Sequence, residues 1–240
     1  MGKHPVTTTA APISPPDDRL QLSRPWPADY AQALQLQGDL ASRVIDSGGV
    51  TIPCLAAGAD LHIRRSDGMG IAAVVAVSVP DLSVVEKVTA AVPVEFPYIL
   101  GLLSFRELPA LLEALSRLRV RPDVVLVDGH GRSHPRRFGL ACHLGLELDV
   151  ATVGCAKSRL VGNFENPGTR AGSISYLELD DERMGIVLRS KERCRPLFVS
   201  VGHRIGLDAA LQVVKENLDG YKIPLALRLA HTMATADARS

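Results

Sequence analysis

The chain has 240 residues, of which 46% are hydrophobic and 22% charged, a composition typical of a folded globular protein and not of a disordered chain. Its 27 Lys and Arg residues nearly balance its 26 Asp and Glu residues, for a formal net charge of +1. Without a strong overall charge, any site for a polyanion must be local. The longest apolar run, residues 71–79, is far shorter than the roughly 20 residues that span a membrane, so we expect no membrane partner.

The first 28 residues show no periodic apolar pattern and hold six of the sixteen prolines, which predicts a disordered, proline-rich lead-in over 1–28. This segment lacks the apolar core of a signal peptide and carries acidic residues that transit peptides avoid, so we expect a cytoplasmic protein. Four cysteines lie far apart without a Cys-x-x-Cys pair, which argues against a zinc site or a disulfide framework.

From residue 31 onward the apolar spacing predicts helices and strands in turn. Helical spacing predicts a first helix over 31–45, and three apolar runs with tight turns between them, 54–63, 71–79 and 82–92, predict an antiparallel meander. A leucine-rich helix over about 105–118 then leads to a buried strand over 124–127. A further helix is predicted over 135–146, strands over 151–153, 184–188 and 197–201, and a last helix from Leu207 to just before Gly220.

This order of elements predicts one α/β domain over residues 29–230, followed by a C-terminal tail over 231–240. A meander followed by crossover helices and parallel strands is the order found in the ribonuclease H-like fold, a mixed β-sheet flanked by helices. The sequence shows neither an internal repeat nor a second apolar core.

Three acidic residues stand where predicted strands end or a helix begins. Asp60 lies in an otherwise apolar strand, Asp128 follows a buried strand, and Glu107 lies in the first turn of the leucine-rich helix. Taken singly, each has an ordinary structural explanation, because Asp favours turns and an acid stabilises a helix N-terminus. Taken together, acids that converge at one end of a sheet can hold Mg²⁺ and support metal-assisted phosphodiester hydrolysis.

Basic residues cluster after predicted strands. The loop 128–137 and the segment 189–195 each hold several cations, which are either a solvated surface or contacts to nucleic-acid phosphates. For His203, after the last predicted strand, three interpretations stay open: a general acid or base, a phosphate ligand, or a loop residue without a chemical role. The apolar segment 96–103 either fills the core or acts as a wedge in a base stack.

A series of longer motifs runs through the chain from about residue 30 to about 229. They are Gly58-Ala59-Asp60, the run from Pro97 to Glu107, Asp128-Gly129-His130-Gly131 with His134-Pro135-Arg136, Gly139 to His143, Gly154 to Leu160, and Gly202-His203. In this order the motifs resemble endonuclease V, the family of deoxyinosine-directed repair nucleases. The resemblance covers nearly everything except the proline-rich lead-in.

The resemblance implies a magnesium-dependent endonuclease, with Mn²⁺ as an alternative ion. It implies nicking of the second phosphodiester bond 3′ of deoxyinosine, leaving 3′-hydroxyl and 5′-phosphate ends. By motif position, Asp60 and Asp128 are expected to bind the metal, and Glu107 to be a further ligand or to hold a metal-bound water. His203 is expected to position or activate the attacking water.

The same resemblance implies a set of substrate-binding residues. Tyr98 matches the wedge residue that fills the space left by an extruded base. The extruded hypoxanthine is expected near Gly101, Leu103, Gly129, Gly139 and Leu140. Phosphate contacts or stabilisation of transition-state charge are expected from Lys157, Arg106 and His134.

Two residues depart from the family pattern. Leu100 stands where the wedge carries a second proline, which removes one φ restraint and bears on strand separation or lesion range. His62 shares a strand face with Asp60, where a small or apolar residue is expected, so it either touches the metal site or lines its rim.

The predicted partner is DNA containing deoxyinosine, with no obligate protein partner. Two alternatives stay open. One is cleavage of inosine-containing RNA, because these motifs do not reveal discrimination at the 2′-hydroxyl. The other is a lesion binder that does not cleave, against which the three acids argue, because negative charge beside phosphates weakens binding.

Overall fold

The computed structural model describes residues 26–48 and 53–239. The strands of this part of the chain are β1 (Leu55–Ile63), β2 (Met69–Ser78), β3 (Val84–Pro93), β4 (Val124–Val127), β5 (Ala151–Ala156), β6 (Ile174–Leu179), β7 (Glu182–Leu188) and β8 (Leu197–His203). The helices are α1 (Tyr30–Ala41), α2 (Leu103–Ser116), α3 (Leu140–Leu148), α4 (Leu207–Glu216) and α5 (Leu225–Asp237).

The strands form one mixed sheet in the order β3-β2-β1-β4-β5-β8-β7-β6. β1, β2 and β3 are the predicted antiparallel meander, β1, β4 and β5 are parallel, and β8 is antiparallel to both β5 and β7. The carboxyl ends of β1, β4, β5 and β7 therefore lie at one end of the sheet, which we call the acidic end because Asp60 and Asp128 lie there. The predicted mixed sheet of the ribonuclease H-like class is confirmed.

Helices cover both faces of this sheet. α2 and α3 pack on one face through residues such as Leu111 and Leu144, and α4 and α5 pack on the other through residues such as Ala230. Strand alternation separates the two cores, because Ala57 of β1 faces α2 and α3 whereas Ala56 faces α5. Burial on both faces explains why the central strands are almost continuously apolar.

Several elements differ from the sequence prediction. α1 ends at Ala41 instead of 45, and the helix predicted from 135 begins only at Leu140, because Arg137 adopts a positive φ of 56° that an α-helix does not allow. β6 and α5 were not predicted. The tail predicted over 231–240 is wrong for most of its length, because α5 continues to Asp237 and buries Ala234 in the core.

The predicted lead-in lies outside the described residues except at its end. There Trp26 packs edge-on against Phe105, with ring centroids 6.0 Å apart, and against His143 at 5.7 Å. Ordered structure therefore begins before residue 29. None of the helices in the described ranges has the length and apolarity that crossing a membrane requires.

Candidate metal and nucleic-acid site

Two of the predicted acids lie side by side at the acidic end of the sheet. Ala59 of β1 pairs with Val127 of β4 in parallel register, so the residues that follow, Asp60 and Asp128, are neighbours. Together with His231 of α5 they offer one ligand atom each, and these atoms all lie within 4.8 Å of one another. Two carboxylates and an imidazole at this spacing suit one divalent ion.

α5 brings His231 to the acids because β1 carries a glycine where the helix crosses it. A Cβ on Gly58 would lie 2.2 Å from the carbonyl carbon of Ala226, so only glycine allows this close approach. Further along the helix, His231 Nδ1 lies 2.7 Å from Asp60 Oδ2. The sequence does not identify His231 as a site residue, because a single histidine indicates a site only when the helix that carries it, and the point where that helix crosses β1, are known.

Burial and neighbouring acids raise the pKa of Asp60 and of Glu107. Burial raises the pKa of Asp60, the charge of Asp128 raises it further, and the hydrogen bond with His231 opposes both. Burial, followed by the charges of Asp60 and Asp128, raises the pKa of Glu107 to about 7. Lys157 Nζ is hydrogen-bonded to Asp128 Oδ2. Acids held this close repel one another, which a shared cation relieves, and this set of oxygen and nitrogen donors therefore fits a divalent metal.

A cavity of about 260 Å³ opens beside these acids. Its volume suits a small ligand of the size of one base. Glu107 and Asp128 line it, as does the predicted wedge residue Tyr98. The remaining predicted pocket residues line it as well, namely Gly101, Leu103, Gly129, Gly139 and Leu140, together with His134. The structure thus brings the predicted base pocket and the predicted metal acids to one place.

One wall of the cavity is fixed from behind by Gln37 of α1, a buried residue without a sequence signal. Its Nε2 donates to the carbonyl oxygens of Gly101 at 3.0 Å and Phe138 at 2.7 Å, and its Oε1 accepts a hydrogen bond from Arg136 Nε. Arg136 Nη2 also donates to the Gly101 carbonyl at 2.7 Å. Two donors, from Gln37 and Arg136, therefore hold the Gly101 carbonyl. Gly101 itself has a φ of +82°, a conformation that favours glycine.

The tip of the wedge loop is open to solvent. Tyr98 is 68% exposed and Leu100 69% exposed, whereas Leu102 is fully buried and Phe96 packs on Phe105 with ring centroids 5.6 Å apart. The segment therefore both fills the core and presents an apolar tip, which supports the wedge interpretation. His62, the other departure from the family pattern, is exposed and does not belong to the metal-ligand group found among the described residues.

His203 does not join the acids. It pairs with Thr152 near the start of β5, and this places it at the end of the sheet opposite the acidic one. Its Nδ1 accepts the N–H of Ile45 at 3.2 Å, and its Nε2 lies 3.7 Å from Asp149 Oδ1. The prediction that His203 positions or activates water is therefore wrong, because an antiparallel strand carries it away from the site. The histidine that lies beside Asp60 and Asp128 is His231.

Arg106 and His134 support the cavity and are not arranged as charged phosphate ligands. Arg106 Nη1 donates to the Phe96 carbonyl at 2.7 Å, beneath the wedge loop. Burial, and then the charge of Arg136, lower the pKa of His134 to about 4, so its ring is neutral near pH 7. The predicted phosphate contact of Arg106 is not supported by this placement, and His134 offers a neutral hydrogen bond only.

A ribonuclease H-like sheet with clustered acids at the carboxyl ends of its central strands is typical of metal-dependent nucleases. The family model of endonuclease V matches residues 39–232 of the chain. Endonuclease V of Dehalococcoides mccartyi is 46% identical over 209 residues, which are 87% of this chain and 94% of that protein. The chain belongs to the endonuclease V family, as its motifs predicted.

Solved structures of this family have the same fold. Endonuclease V from Streptomyces avermitilis is 36% identical, with a TM-score of 0.86 over 90% of this chain and 95% of that one. Human endonuclease V is 33% identical, with a TM-score of 0.80 over 87% of this chain and 98% of that one.

Proposed function

We propose that the protein nicks DNA at the second phosphodiester bond 3′ of a deoxyinosine, leaving 3′-hydroxyl and 5′-phosphate ends. One observation carries the proposal: Asp128, a member of the metal-ligand group, lines the base-sized cavity together with Glu107, whose pKa is raised by the charges of Asp60 and Asp128. A base held in the cavity therefore brings the phosphates of its own strand next to the acids. Recognition and hydrolysis share one site, which lowers the entropic cost of positioning the scissile bond.

Recognition begins at the exposed tip of the wedge loop, where Tyr98 takes the place of the base turned out of the stack. The base enters the cavity, and backbone groups around Leu103 and Gly139 meet the polar edge of hypoxanthine. Because Gln37 and Arg136 hold the Gly101 carbonyl, the wall of the cavity is already in place before the base arrives.

Hydrolysis depends on the acids and on the side chains of Lys157 and His231. A divalent ion held by Asp60 and Asp128, with Mg²⁺ proposed and Mn²⁺ as the alternative, would supply Lewis acidity at the scissile phosphate. Lys157, hydrogen-bonded to Asp128, places a positive charge where negative charge develops on phosphate oxygens. His231 holds Asp60 through Nδ1 and keeps its second ring nitrogen for proton transfer.

The partner proposed is DNA containing deoxyinosine, and no obligate protein partner is proposed. The cytoplasmic location stays a prediction. Inosine-containing RNA and lesion binding without cleavage are outcomes that the experiment below distinguishes.

The experiment is a nicking assay on matched, end-labelled DNA and RNA strands, each with one inosine and analysed at single-nucleotide resolution. We expect a magnesium-dependent cut at the second bond 3′ of deoxyinosine, blocked by a chelator, and no cut in a strand with adenosine at that position. Faster cleavage of the RNA strand would make RNA the substrate. Retained inosine binding without cleavage in Mg²⁺ or Mn²⁺ would contradict the enzymatic proposal.

A further inference from the structure

A loop rich in cations begins at the acidic end of the sheet. β7 runs parallel to β5, because both are antiparallel to β8. The loop that joins β7 to β8, residues 189–196, therefore starts at the same end of the sheet as Lys157, which directly follows β5. The charged residues of this loop are Arg189, Lys191, Glu192, Arg193 and Arg195.

The segment that precedes α5 is tied to this loop. Ser190 Oγ donates to the carbonyl oxygen of Lys222 at 2.6 Å, and Lys191 Nζ lies 5.2 Å from the centroid of the Tyr221 ring. Tyr221 is 53% exposed, and the guanidinium of Arg228 lies 4.0 Å from its ring centroid. The two segments form one surface, the cationic surface, made of Lys191, Arg195, Tyr221 and Lys222.

The three cations of this surface have no acidic partner among the described residues. Arg193 lies 3.9 Å from Glu192, and Arg228 pairs with Asp219. Lys191, Arg195 and Lys222 make no such ion pair. Burial lowers the pKa of Lys222, Cys194 opposes this effect, and the charges of Arg195 and Lys157 lower the pKa further. Positive charges placed together without internal compensation are the arrangement that nucleic-acid phosphates neutralise.

The cationic surface and the base cavity lie on opposite sides of the acids. α2 and α3, whose first residues line the cavity, cover one face of the sheet, whereas α5 covers the other face. Tyr221 and Lys222 come just before α5. A strand that leaves one base in the cavity and passes the acids therefore reaches the cationic surface with the nucleotides that follow the cleaved bond.

We propose that the cationic surface binds the phosphates of the DNA strand on the 3′ side of the nick. The inference rests on the proposed nicking activity and adds a second binding site to it, independent of the lesion base. Contacts of this kind are not sequence-specific, and each contributes roughly 0.7 to 0.9 to the slope of log K against log salt concentration. A strand held on both sides of the cut keeps the scissile phosphate at the acids.

The test compares the double variant Arg195→Gln/Lys222→Gln with the control Lys87→Gln/Arg121→Gln. The control removes two exposed cations away from the acids, because Lys87 lies in β3 and Arg121 precedes the amino end of β4. Each variant is titrated, over a range of salt, with deoxyinosine strands that end either just past the nick or about a dozen nucleotides later, a length within single-strand site sizes.

On the long strand we expect the Arg195→Gln/Lys222→Gln variant to bind more weakly, with a salt slope reduced by about 1 to 2. On the short strand it should match the wild type, and the control should match the wild type on both. An unchanged slope on the long strand, or an equal loss on the short one, overturns the inference. If the double variant melts earlier than the wild type, the single variant Arg195→Glu at an exposed position takes its place.

Nicking by the wild type is read in the same reactions and tests the proposed function separately. If the wild type never nicks but the expected difference in salt slope is seen, the proposed nicking activity is wrong and the proposed binding by the cationic surface is kept. If the wild type nicks and the variants bind both strands like the wild type, the proposed binding by the cationic surface is wrong and the proposed nicking activity is kept.

Discussion

His231 on α5 and Asp60 on β1 are 171 positions apart in the sequence, yet Nδ1 of one lies 2.7 Å from Oδ2 of the other. The first strand and the last helix of the described chain thus meet at the metal acids. The contact depends on the close packing of α5 over Gly58, so the site is complete only when the whole sheet and its covering helix are in place.

Replacing His231 with Ala is expected to slow nicking by roughly 10²-fold or more, the range for loss of a general acid or base. Binding of deoxyinosine DNA should stay close to wild type, because the ring contacts Asp60 and does not line the base cavity. Single-turnover nicking rates and dissociation constants, measured separately, check both parts.

The control is His203→Ala. This variant should keep the nicking rate and lose about 1 to 3 kcal/mol of unfolding free energy, because the N–H of Ile45 loses its acceptor. Equal losses of nicking in the two histidine variants would contradict the assignment of His231.

Asp128→Asn is expected to abolish metal-dependent nicking, since it removes the charge of one ligand of the metal group. DNA binding should be retained or tightened, because one negative charge beside the phosphates is lost. Chelation of the wild type should reproduce the loss. Metal titrations of the nicking rate and DNA titrations in chelator provide the measurement, with Asp39→Asn on the exposed face of α1 as the control. Persistent nicking by Asp128→Asn would exclude this residue as a metal ligand.

Gly58→Ala is expected to destabilise the protein by about 1 to 3 kcal/mol, the usual cost of overpacking, because the added methyl group overlaps the backbone at Ala226. It should also move His231 from Asp60 and reduce nicking at temperatures where the protein is folded. Gly38→Ala in α1 meets nothing within 4 Å and should stabilise the protein by roughly 0.5 to 1 kcal/mol. Denaturant unfolding of both variants checks the contrast, and a Gly58→Ala variant as stable as the wild type would refute the close-packing explanation.

The acids of the site are predictable from sequence because they depend on regular strand geometry. Asp60 and Asp128 follow apolar runs, and parallel pairing of two strands is enough to make them neighbours. The base pocket residues are instead implied by the resemblance to endonuclease V, and they lie in turns or at the first residues of α2 and α3.

The two histidines show where sequence reasoning reaches its limit. His203 follows a buried strand just as Asp128 does, but the direction of β8 is a property of the whole sheet and carries it to the opposite end. His231 and Gln37 act through single contacts between distant elements, and a helix packed by small residues such as Ala226 and Ala230 has too weak an apolar pattern to be predicted.

His143 gives the protein a pH-dependent stability. Its ring is fully buried among aromatic rings of Trp26, Phe105 and Phe138, and Glu147 Oε1 lies 3.9 Å from its Nε2. Burial lowers the pKa of His143 to about 3, against an ordinary value near 6.5. Below pH 6.5 the unfolded chain therefore binds a proton at this histidine that the folded protein does not bind until about pH 3.

The unfolding free energy should consequently fall as the pH falls from 6.5 towards 3, with His143 contributing up to about 1.4 kcal/mol per pH unit. His134, whose pKa is lowered to about 4, adds a similar loss over a narrower range. In the variant His143→Phe the slope between pH 6 and pH 4 should decrease by roughly the contribution of one proton. Urea unfolding of both proteins across this range measures the slopes. Parallel curves for the variant and the wild type would mean that His143 is protonated in the folded protein, with Glu147 as its counter-ion.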